Sequence, residues 1–321
     1  MGDGGAGSVH PPRHVLVIGL GFIGSRIGGV WRERGCEVSA ITRSDGGRPG
    51  EARRQGTSVT IGNAADPVLL EAALAGVDHV VYSAGGLLPA ESNAAPVRDA
   101  VQSLEPLVAV LEALRTRPEI GLTYLSSGGT VYGDPRRLPV REDDPTEPVS
   151  SYGIVKLACE NFITLYVTLH GLRARILRCS NVYGGGQPVD RLQGAVGVFL
   201  DRMERGLPLP IWGDGLQVRD YVHVDDVADA VIELAALPGG PGVVNVGSGQ
   251  GHTLLELIKI LEAVTGIEPL LEFSATRGFD VRSNVLDVGL LRSLIDVAPI
   301  RLEDGVARTW RAMCDRGRRS D

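Results

Sequence analysis

The chain has 321 residues, which is enough for one large α/β domain or for two domains that share a cleft. Its formal net charge of −7 argues against nucleic acid or an anionic membrane surface as the main partner. The four cysteines are scattered, without a C-x-x-C pair or a histidine cluster at ligand spacing, which favours reduced thiols in a cytoplasmic protein and no bound metal.

The first residues of the chain are rich in glycine and lack the basic-then-apolar order of a signal peptide. We therefore expect residues 1–13 to form a flexible leader. No apolar run approaches the roughly 20 residues that a membrane span needs, so we also expect no membrane partner.

The first predicted strand, residues 15–18, runs into a G-x-G-x-x-G pattern at residues 19–24, and a predicted helix follows to about Arg34. The first glycine of such a turn permits the sharp bend, the second lets the backbone approach a diphosphate, and the third lets the helix pack on the strand. The N–H groups at the start of the helix then face phosphate oxygens. The predicted dinucleotide contacts here are Gly19, Gly21, Phe22, Ile23 and Gly24.

Other predicted strands end in segments that would meet the same dinucleotide. The second strand ends in Thr42 and Arg43, where a carboxylate would bind the ribose 2′-hydroxyl of NAD and an arginine could instead meet the 2′-phosphate of NADP. The remaining cofactor contacts follow the third and fourth strands, and they are Asn63, Ala64, Ala84 and Gly85. We expect NAD and keep NADP as the alternative.

Short strands alternate with helices through the first half of the chain, which predicts an α/β fold with a doubly wound parallel sheet of the Rossmann type. The strands are continuous apolar runs, as a sheet covered on both faces requires. The later, less regular segments predict a smaller C-terminal substrate-binding lobe. The predicted division assigns residues 14–181 and about 219–250 to the dinucleotide-binding domain, and residues 182–218 and 251–321 to the lobe.

The clearest chemical signal is the pair Tyr152 and Lys156, which are one turn apart at the start of a predicted helix. An ammonium held beside a phenol stabilises the phenolate, which is an oxygen base. Because the chain has 7 tyrosines and only two lysines, chance would produce this spacing roughly 0.04 times. Upstream, the hydroxyls of Ser127 and Thr130 follow the fifth predicted strand, at the edge of the sheet where ligands bind.

The segments that carry a family resemblance are, in chain order, residues 19–24, 126–133 and 152–156, then Asn181, residues 213–215 and 219–221, and finally residues 277–280. Their sequences are GLGFIG, SSGGTVYG, YGIVK, N, GDG, RDY and RGFD. Together they resemble the extended short-chain dehydrogenase/reductase family and, within it, the UDP-glucose 4-epimerase-like enzymes. The resemblance covers about residues 14–312.

The resemblance implies an enzyme that oxidises and re-reduces one carbon of a UDP-sugar with a bound nicotinamide cofactor. It makes Tyr152 the catalytic base and Lys156 its partner on the cofactor ribose, with a hydroxyl donor at Ser127 or Thr130 and Cys179 beside the cofactor. The implied substrate contacts are Ser127 at the sugar, Asn181, Arg219 and Arg277 at the diphosphate, Asp280 at the ribose, and Pro210 and Trp212 at the uracil. Relatives of this kind pair through two helices, so a homodimer is also expected.

Several positions depart from the family pattern. The usual catalytic serine falls at Gly128, which leaves the hydroxyl role open between the two residues named above. The cofactor-ribose carboxylate falls at Thr42 and the adenine-side aspartate at Asn63, which keeps NADP open. Asn284 falls where some epimerases carry a bulky tyrosine. We therefore predict a substrate contact at Asn284, with room for a 2-acetamido group.

Three alternatives to an epimerase stay open. An NADPH-dependent sugar-nucleotide 4-ketoreductase is favoured by Thr42 and Arg43. A sugar-nucleotide 4,6-dehydratase needs an Asp-Glu acid/base pair where this chain has Gly129 and Thr130. A non-enzymatic dinucleotide sensor would have no use for the Tyr-x-x-x-Lys pair together with diphosphate-binding arginines.

Overall fold

The computed structural model describes residues 11–45, 47–189, 194–240, 242–276 and 281–320. Most of the predicted leader and the predicted substrate contacts Arg277 and Asp280 lie outside the described residues. Within the described ranges, no helix combines the length and the apolar character that a membrane crossing requires.

The strands and helices alternate along the chain. The strands are β1 (His14–Ile18), β2 (Glu37–Thr42), β3 (Ser58–Ile61), β4 (His79–Tyr82), β5 (Gly121–Ser127), β6 (Ala174–Cys179), β7 (Asn181–Tyr183), β8 (Leu209–Trp212), β9 (Val218–His223), β10 (Val243–Val246), β11 (Gly251–Thr253), β12 (Leu271–Ser274) and β13 (Ser283–Asn284). The helices are α1 (Phe22–Glu33), α2 (Gly47–Arg54), α3 (Pro67–Ala73), α4 (Pro89–Ala94), α5 (Pro96–Arg115), α6 (Gly128–Val131), α7 (Ser151–His170), α8 (Ala195–Glu204), α9 (Val224–Ala235), α10 (Leu254–Thr265), α11 (Gly289–Leu294) and α12 (Leu302–Ser320).

Seven strands form a central parallel sheet in the order β10-β6-β5-β4-β1-β2-β3. The chain first builds outward from β1 to β3 and then restarts at β4 on the other side of β1. This reversal is the switch point at which open α/β sheets bind ligands. The prediction of a doubly wound parallel sheet is confirmed.

Both faces of the sheet are covered by helices. In β1, Val15 and Val17 pack with apolar residues of α1 and α9, whereas Leu16 and Ile18 pack with apolar residues of α5 and α7. Successive side chains of a strand point to opposite faces, so a strand buried on both sides must be apolar throughout. Burial on both faces of the sheet is therefore the reason that the strands are continuous apolar runs in the sequence.

The smaller lobe contains two further sheets. In one, β9 pairs with β7, β11 and β13, and in the other β8 pairs with β12. Its own apolar cluster joins α8, α10 and α12. The C-terminal lobe is therefore present, while the residue boundaries between the two predicted domains stay a prediction.

Two local assignments differ from the sequence expectations. The sequence indicates a turn-rich segment over residues 209–215, but Leu209–Trp212 forms β8, which gains its partner β12 from about 60 residues downstream. The sequence predicts no helix directly after Arg43, yet α2 spans Gly47–Arg54. The glycines and the proline of that segment are typical of a loop, and this composition conceals the helix.

A buried histidine begins the central strand β4. His79 is only 6% exposed, and its Nε2 lies 2.9 Å from the Thr123 hydroxyl oxygen on β5. Burial, with a smaller effect from the charges of Arg173 and Arg175, lowers the pKa of His79 to about 3. The folded protein therefore holds this imidazole in its neutral form.

We predict that His79 makes the fold sensitive to acid. An unfolded histidine has a pKa of about 6.5, so between about pH 6.5 and 3 the unfolded chain binds a proton that the folded chain does not. The contribution of His79 to stability is complete above about pH 6.5, falls by up to about 1.4 kcal/mol for each pH unit within the window, and does not change further below about pH 3. Urea unfolding of wild type and His79→Gln across this range measures the effect, because glutamine keeps a polar partner for Thr123. Identical pH slopes in the two proteins would contradict the prediction.

Candidate active site

The carboxyl ends of the central strands carry most of the sequence-predicted site residues. The glycine turn follows β1, Ala84 and Gly85 follow β4, the two predicted hydroxyls lie at and just after the end of β5, and Cys179 ends β6. Because all these strands are parallel, their carboxyl ends meet at one edge of the sheet. The topology therefore gathers segments that are far apart in the sequence.

Three adjoining cavities follow this edge. The outer cavity, of about 340 Å³, lies against the ends of β1, β2 and β3. The central cavity, of about 790 Å³, includes Tyr152 and the hydroxyl residues. The lobe cavity, of about 190 Å³, lies against β7, β8 and β9. Gly21, Arg48 and Ser83 line both the outer and the central cavity, while Asn181, Val182 and Gly194 line both the central and the lobe cavity.

The glycine turn has the shape that a bound diphosphate needs. Gly19 has a positive φ of 100°, and a Cβ there would lie 2.6 Å from the Ala84 nitrogen. A Cβ on Gly24 would collide with the Gly19 carbonyl oxygen. A Cβ on Gly21, by contrast, would meet nothing within 4 Å, so this backbone is open to the cleft at the start of α1. The turn therefore fits the close approach of a dinucleotide.

All predicted cofactor contacts except Lys156 line one of two cavities. The central cavity takes Gly21, Phe22, Ile23, Gly24, Tyr152 and Cys179. The outer cavity takes Gly19, Gly21, Thr42, Arg43, Asn63, Ala64, Ala84 and Gly85. A Cβ on Gly85 would also meet nothing within 4 Å, so a second stretch of backbone is open to the outer cavity.

Helix α7 positions the Tyr152–Lys156 pair. The Ser150 hydroxyl caps the helix by accepting a hydrogen bond from the Gly153 N–H at 3.2 Å, which places Tyr152 in the first turn. The Lys156 ammonium is buried and donates to the Leu125 carbonyl at 3.0 Å. Its Nζ lies 5.9 Å from the centroid of the Tyr152 ring and 5.0 Å from that of Tyr124, within cation–π range of both. The positive charge is thus buried close to two aromatic rings.

The turn at the end of β5 presents two hydroxyls to the central cavity. Ser127 and Thr130 both line it, and the Thr130 hydroxyl lies 3.5 Å from the Ser127 carbonyl oxygen. A Cβ on the intervening Gly128 would come within 2.7 Å of Leu286, so a serine there would require Leu286 to move. The choice between Ser127 and Thr130 stays open.

The predicted substrate contacts fall into three groups. Asn181, Pro210, Trp212 and Arg219 line the lobe cavity, and Asn181 reaches the central cavity as well. Arg277 and Asp280 are outside the described residues. Asn284 is fully buried and donates its Nδ2 to the Gly128 carbonyl at 3.0 Å, so the described cavities do not include it.

Two features of the site escaped the sequence analysis. One is Arg48, which lines the outer and central cavities from α2. The other is a buried ion pair beneath the Tyr152 helix, in which Arg178 Nη2 lies 2.7 Å from Glu160 Oε2. Glu160 is one helical turn beyond Lys156, so the four-residue spacing indicates that it lies on the same face of the helix. Arg48 follows a Gly-rich stretch, and no spacing or motif in the sequence marks it as a site residue.

The ion pair belongs to a wider buried network. The Glu160 carboxylate also accepts the Ser126 hydroxyl, directly before Ser127. Arg178 donates to the Tyr132 hydroxyl at 2.9 Å, and Tyr132 donates to Asn245 at 2.7 Å. The network therefore joins α7, β5, β6 and β10 just below the central cavity.

Breaking this pair should destabilise the protein strongly. Arg178→Met leaves the Glu160 carboxylate buried without its partner, a loss that typically costs about 3–5 kcal/mol. Urea unfolding measures the change in free energy. Arg34→Met is the matched control, because Arg34 pairs with Asp229 and Glu233 at the surface and its loss should cost about 1 kcal/mol or less. A loss as small in Arg178→Met as in the control would contradict the prediction.

Comparisons with known proteins agree with this architecture. A sequence model of the NAD dependent epimerase/dehydratase family matches residues 15–247. The chain is 35% identical over 232 residues to a putative UDP-glucose 4-epimerase of Methanocaldococcus jannaschii, covering 72% of this chain and 75% of that protein.

Two solved structures extend the likeness over almost the whole chain. The UDP-glucose 4-epimerase of Thermotoga maritima with UDP-glucose superposes with a TM-score of 0.88 at 30% identity, covering 94% of this chain and 99% of that one. The UDP-glucose 4-epimerase of Thermus thermophilus in complex with NAD gives a TM-score of 0.86 at 31% identity and the same coverage.

Proposed function

The chain belongs to the NAD dependent epimerase/dehydratase family, and we propose that it is a sugar-nucleotide 4-epimerase that acts on a UDP-sugar. One observation carries the proposal. Tyr152 lies in the central cavity, which shares lining residues with the outer cavity on one side and with the lobe cavity on the other. The phenol that we propose as the general base thus lies between the cavity of the glycine turn and a second cavity.

The proposed chemistry uses few side chains. A nicotinamide cofactor bound along the glycine turn supplies the acceptor and donor of hydride. Tyr152 removes the proton from the sugar 4-hydroxyl and later returns one, while the Lys156 ammonium stabilises the negative charge on its oxygen. The hydroxyl of Ser127 or Thr130 donates to the same sugar oxygen as charge develops there.

The lobe cavity supports the second half of the proposal. Epimerisation requires the oxidised sugar to turn while the rest of the substrate stays bound. Arg219 and Asn181 would hold the diphosphate, and Trp212 and Pro210 would hold the base, all at the wall of the lobe cavity. Arg277 and Asp280 stay predicted contacts to the diphosphate and the ribose.

We predict that Tyr152→Phe abolishes turnover and leaves ligand binding intact. Losing a general base typically lowers the rate by about 10²–10⁴-fold, whereas a phenyl ring preserves the shape of the cavity. Chromatographic separation of 4-epimers measures turnover, and the nucleotide extracted from purified protein measures cofactor binding. Tyr166→Phe removes a phenol from the same helix outside the three cavities and should retain turnover. Full activity of Tyr152→Phe would overturn the mechanism.

The sugar is the open part of the proposal. Incubation with UDP-glucose, UDP-N-acetylglucosamine and UDP-glucuronate, each followed by separation of the 4-epimers, distinguishes hexose, N-acetylhexosamine and hexuronate substrates. Acceptance of a 2-acetamido group stays a prediction from the family position of Asn284, which lines none of the three cavities. Turnover of UDP-glucose without turnover of UDP-N-acetylglucosamine would refute that part.

The charges of the outer cavity bear on the identity of the cofactor. We propose NAD, and we keep NADP because Arg43 and Arg48 are the charged side chains among the described residues that line this cavity. Asp45 lies nearby, but its carboxylate pairs with Arg53 at 2.6 Å. Tightly retained NAD in the purified protein supports the epimerase. Easily removed NADP supports the alternative, an NADPH-dependent sugar-nucleotide 4-ketoreductase.

We also propose a homodimer. Helices α5 and α7 pack together, and both leave large apolar side chains exposed. These are Val97 and Val101 on α5, and Ile154, Phe162, Leu165, Val167 and Leu169 on α7. Sedimentation equilibrium tests this, and a monomer at micromolar concentration would refute it.

A further inference from the structure

Arg48 crosses the cleft between the two parts of the molecule. It is the second residue of α2, on the central sheet side, and its Nη2 donates to the Gly186 carbonyl at 2.7 Å. Gly186 lies in the segment that follows β7, 138 residues further along the chain. The side chain is half-buried. A guanidinium therefore ties the second helix to a segment that lies between β7 and the lobe helix α8.

The same side chain lies where the outer and central cavities meet. Only Gly21 and Ser83 share this position with it among the described lining residues. Gly21 is the open glycine of the turn, and Ser83 donates to the Gly19 carbonyl at 2.7 Å. Of the described residues that line the central cavity, Arg48 alone carries a full charge. A positive charge is thus placed where the two cavities meet.

We propose that Arg48 is a diphosphate clamp that also couples the cofactor to the lobe. A guanidinium offers planar, permanently charged donors that match phosphate oxygens, and one of its nitrogens can bond a carbonyl while another bonds a phosphate. The glycine turn supplies the backbone donors to the cofactor diphosphate, and Arg48 supplies the charge. The proposal rests on the proposed function only in assuming a dinucleotide cofactor.

The contact with Gly186 gives the clamp a second consequence. Gln187 and Pro188 follow Gly186 directly and line the central cavity. When the cofactor diphosphate fixes Arg48, it also fixes this part of the wall, where the Gln187 amide donates to the carbonyl of Val182, the residue after Asn181. Cofactor and UDP should therefore bind cooperatively, and each should raise the affinity for the other by the same factor.

Binding measurements with three probes test the clamp. Calorimetric titration of wild type, Arg48→Met and Arg48→Lys with NAD, ADP and adenosine separates the diphosphate from the nucleoside. We expect Arg48→Met to bind NAD and ADP about 10- to 100-fold more weakly, with Arg48→Lys between, and adenosine binding to change less than about 2-fold. Arg54→Met removes the same charge from the same helix, lines none of the three cavities, and should match wild type. Unchanged ADP binding, or an equal loss for adenosine, would overturn the clamp.

The coupling is tested by titrating UDP with and without saturating NAD. Wild type and Arg54→Met should bind UDP more tightly when NAD is present, and Arg48→Met should lose that enhancement. An enhancement that survives in Arg48→Met would overturn the coupling. These readouts do not involve turnover, so a protein that binds both ligands cooperatively but converts no UDP-sugar would refute the proposed function and leave the clamp standing.

Discussion

The buried ion pair of Glu160 and Arg178 is the contact on which the position of helix α7 depends. Glu160 lies on α7 one turn after Lys156, and Arg178 lies on β6 directly before Cys179. Two charges taken out of water cannot separate without a large loss of free energy, so the pair sets the distance between helix and sheet. The Ser126 hydroxyl joins the same carboxylate. Tyr152, Lys156 and the turn that carries Ser127 therefore lie on elements that one buried network joins.

The sequence predicts a strand or helix well where the residues of that segment alone determine its structure. The first strand, predicted over residues 15–18, spans His14–Ile18, and the helix predicted to about Arg34 ends at Glu33, because their apolar patterns and flanking residues are unambiguous. Strand β8 escaped because β12, its partner among the described residues, is far away in the chain. The Arg48–Gly186 contact was invisible for the same reason. Sequence motifs indicate which residues reach the edge of the sheet, but contacts made across the cleft depend on how the two parts pack.

Gly128 and Asn284 both depart from the family pattern, and the two residues contact each other in the structure. A Cβ on Gly128 would meet Leu286, two residues after Asn284. The Asn284 amide in turn donates to the Gly128 carbonyl. Because β13 pairs with β9 at Arg219, this hydrogen bond also connects the predicted diphosphate contact to the hydroxyl turn. Asn284, which the sequence analysis singles out for its small side chain, thus contributes to this structure through its hydrogen bond to Gly128.

The burial of Lys156 has a practical consequence for chemical labelling of this protein. The chain has two lysines, and the other, Lys259, is exposed on α10. The remaining 30 basic residues are arginines, whose guanidinium groups do not react as amines near neutral pH. An amine-reactive reagent should therefore meet one accessible lysine, on the lobe. A dye or a surface linker attached there would leave the Tyr152 helix unmodified.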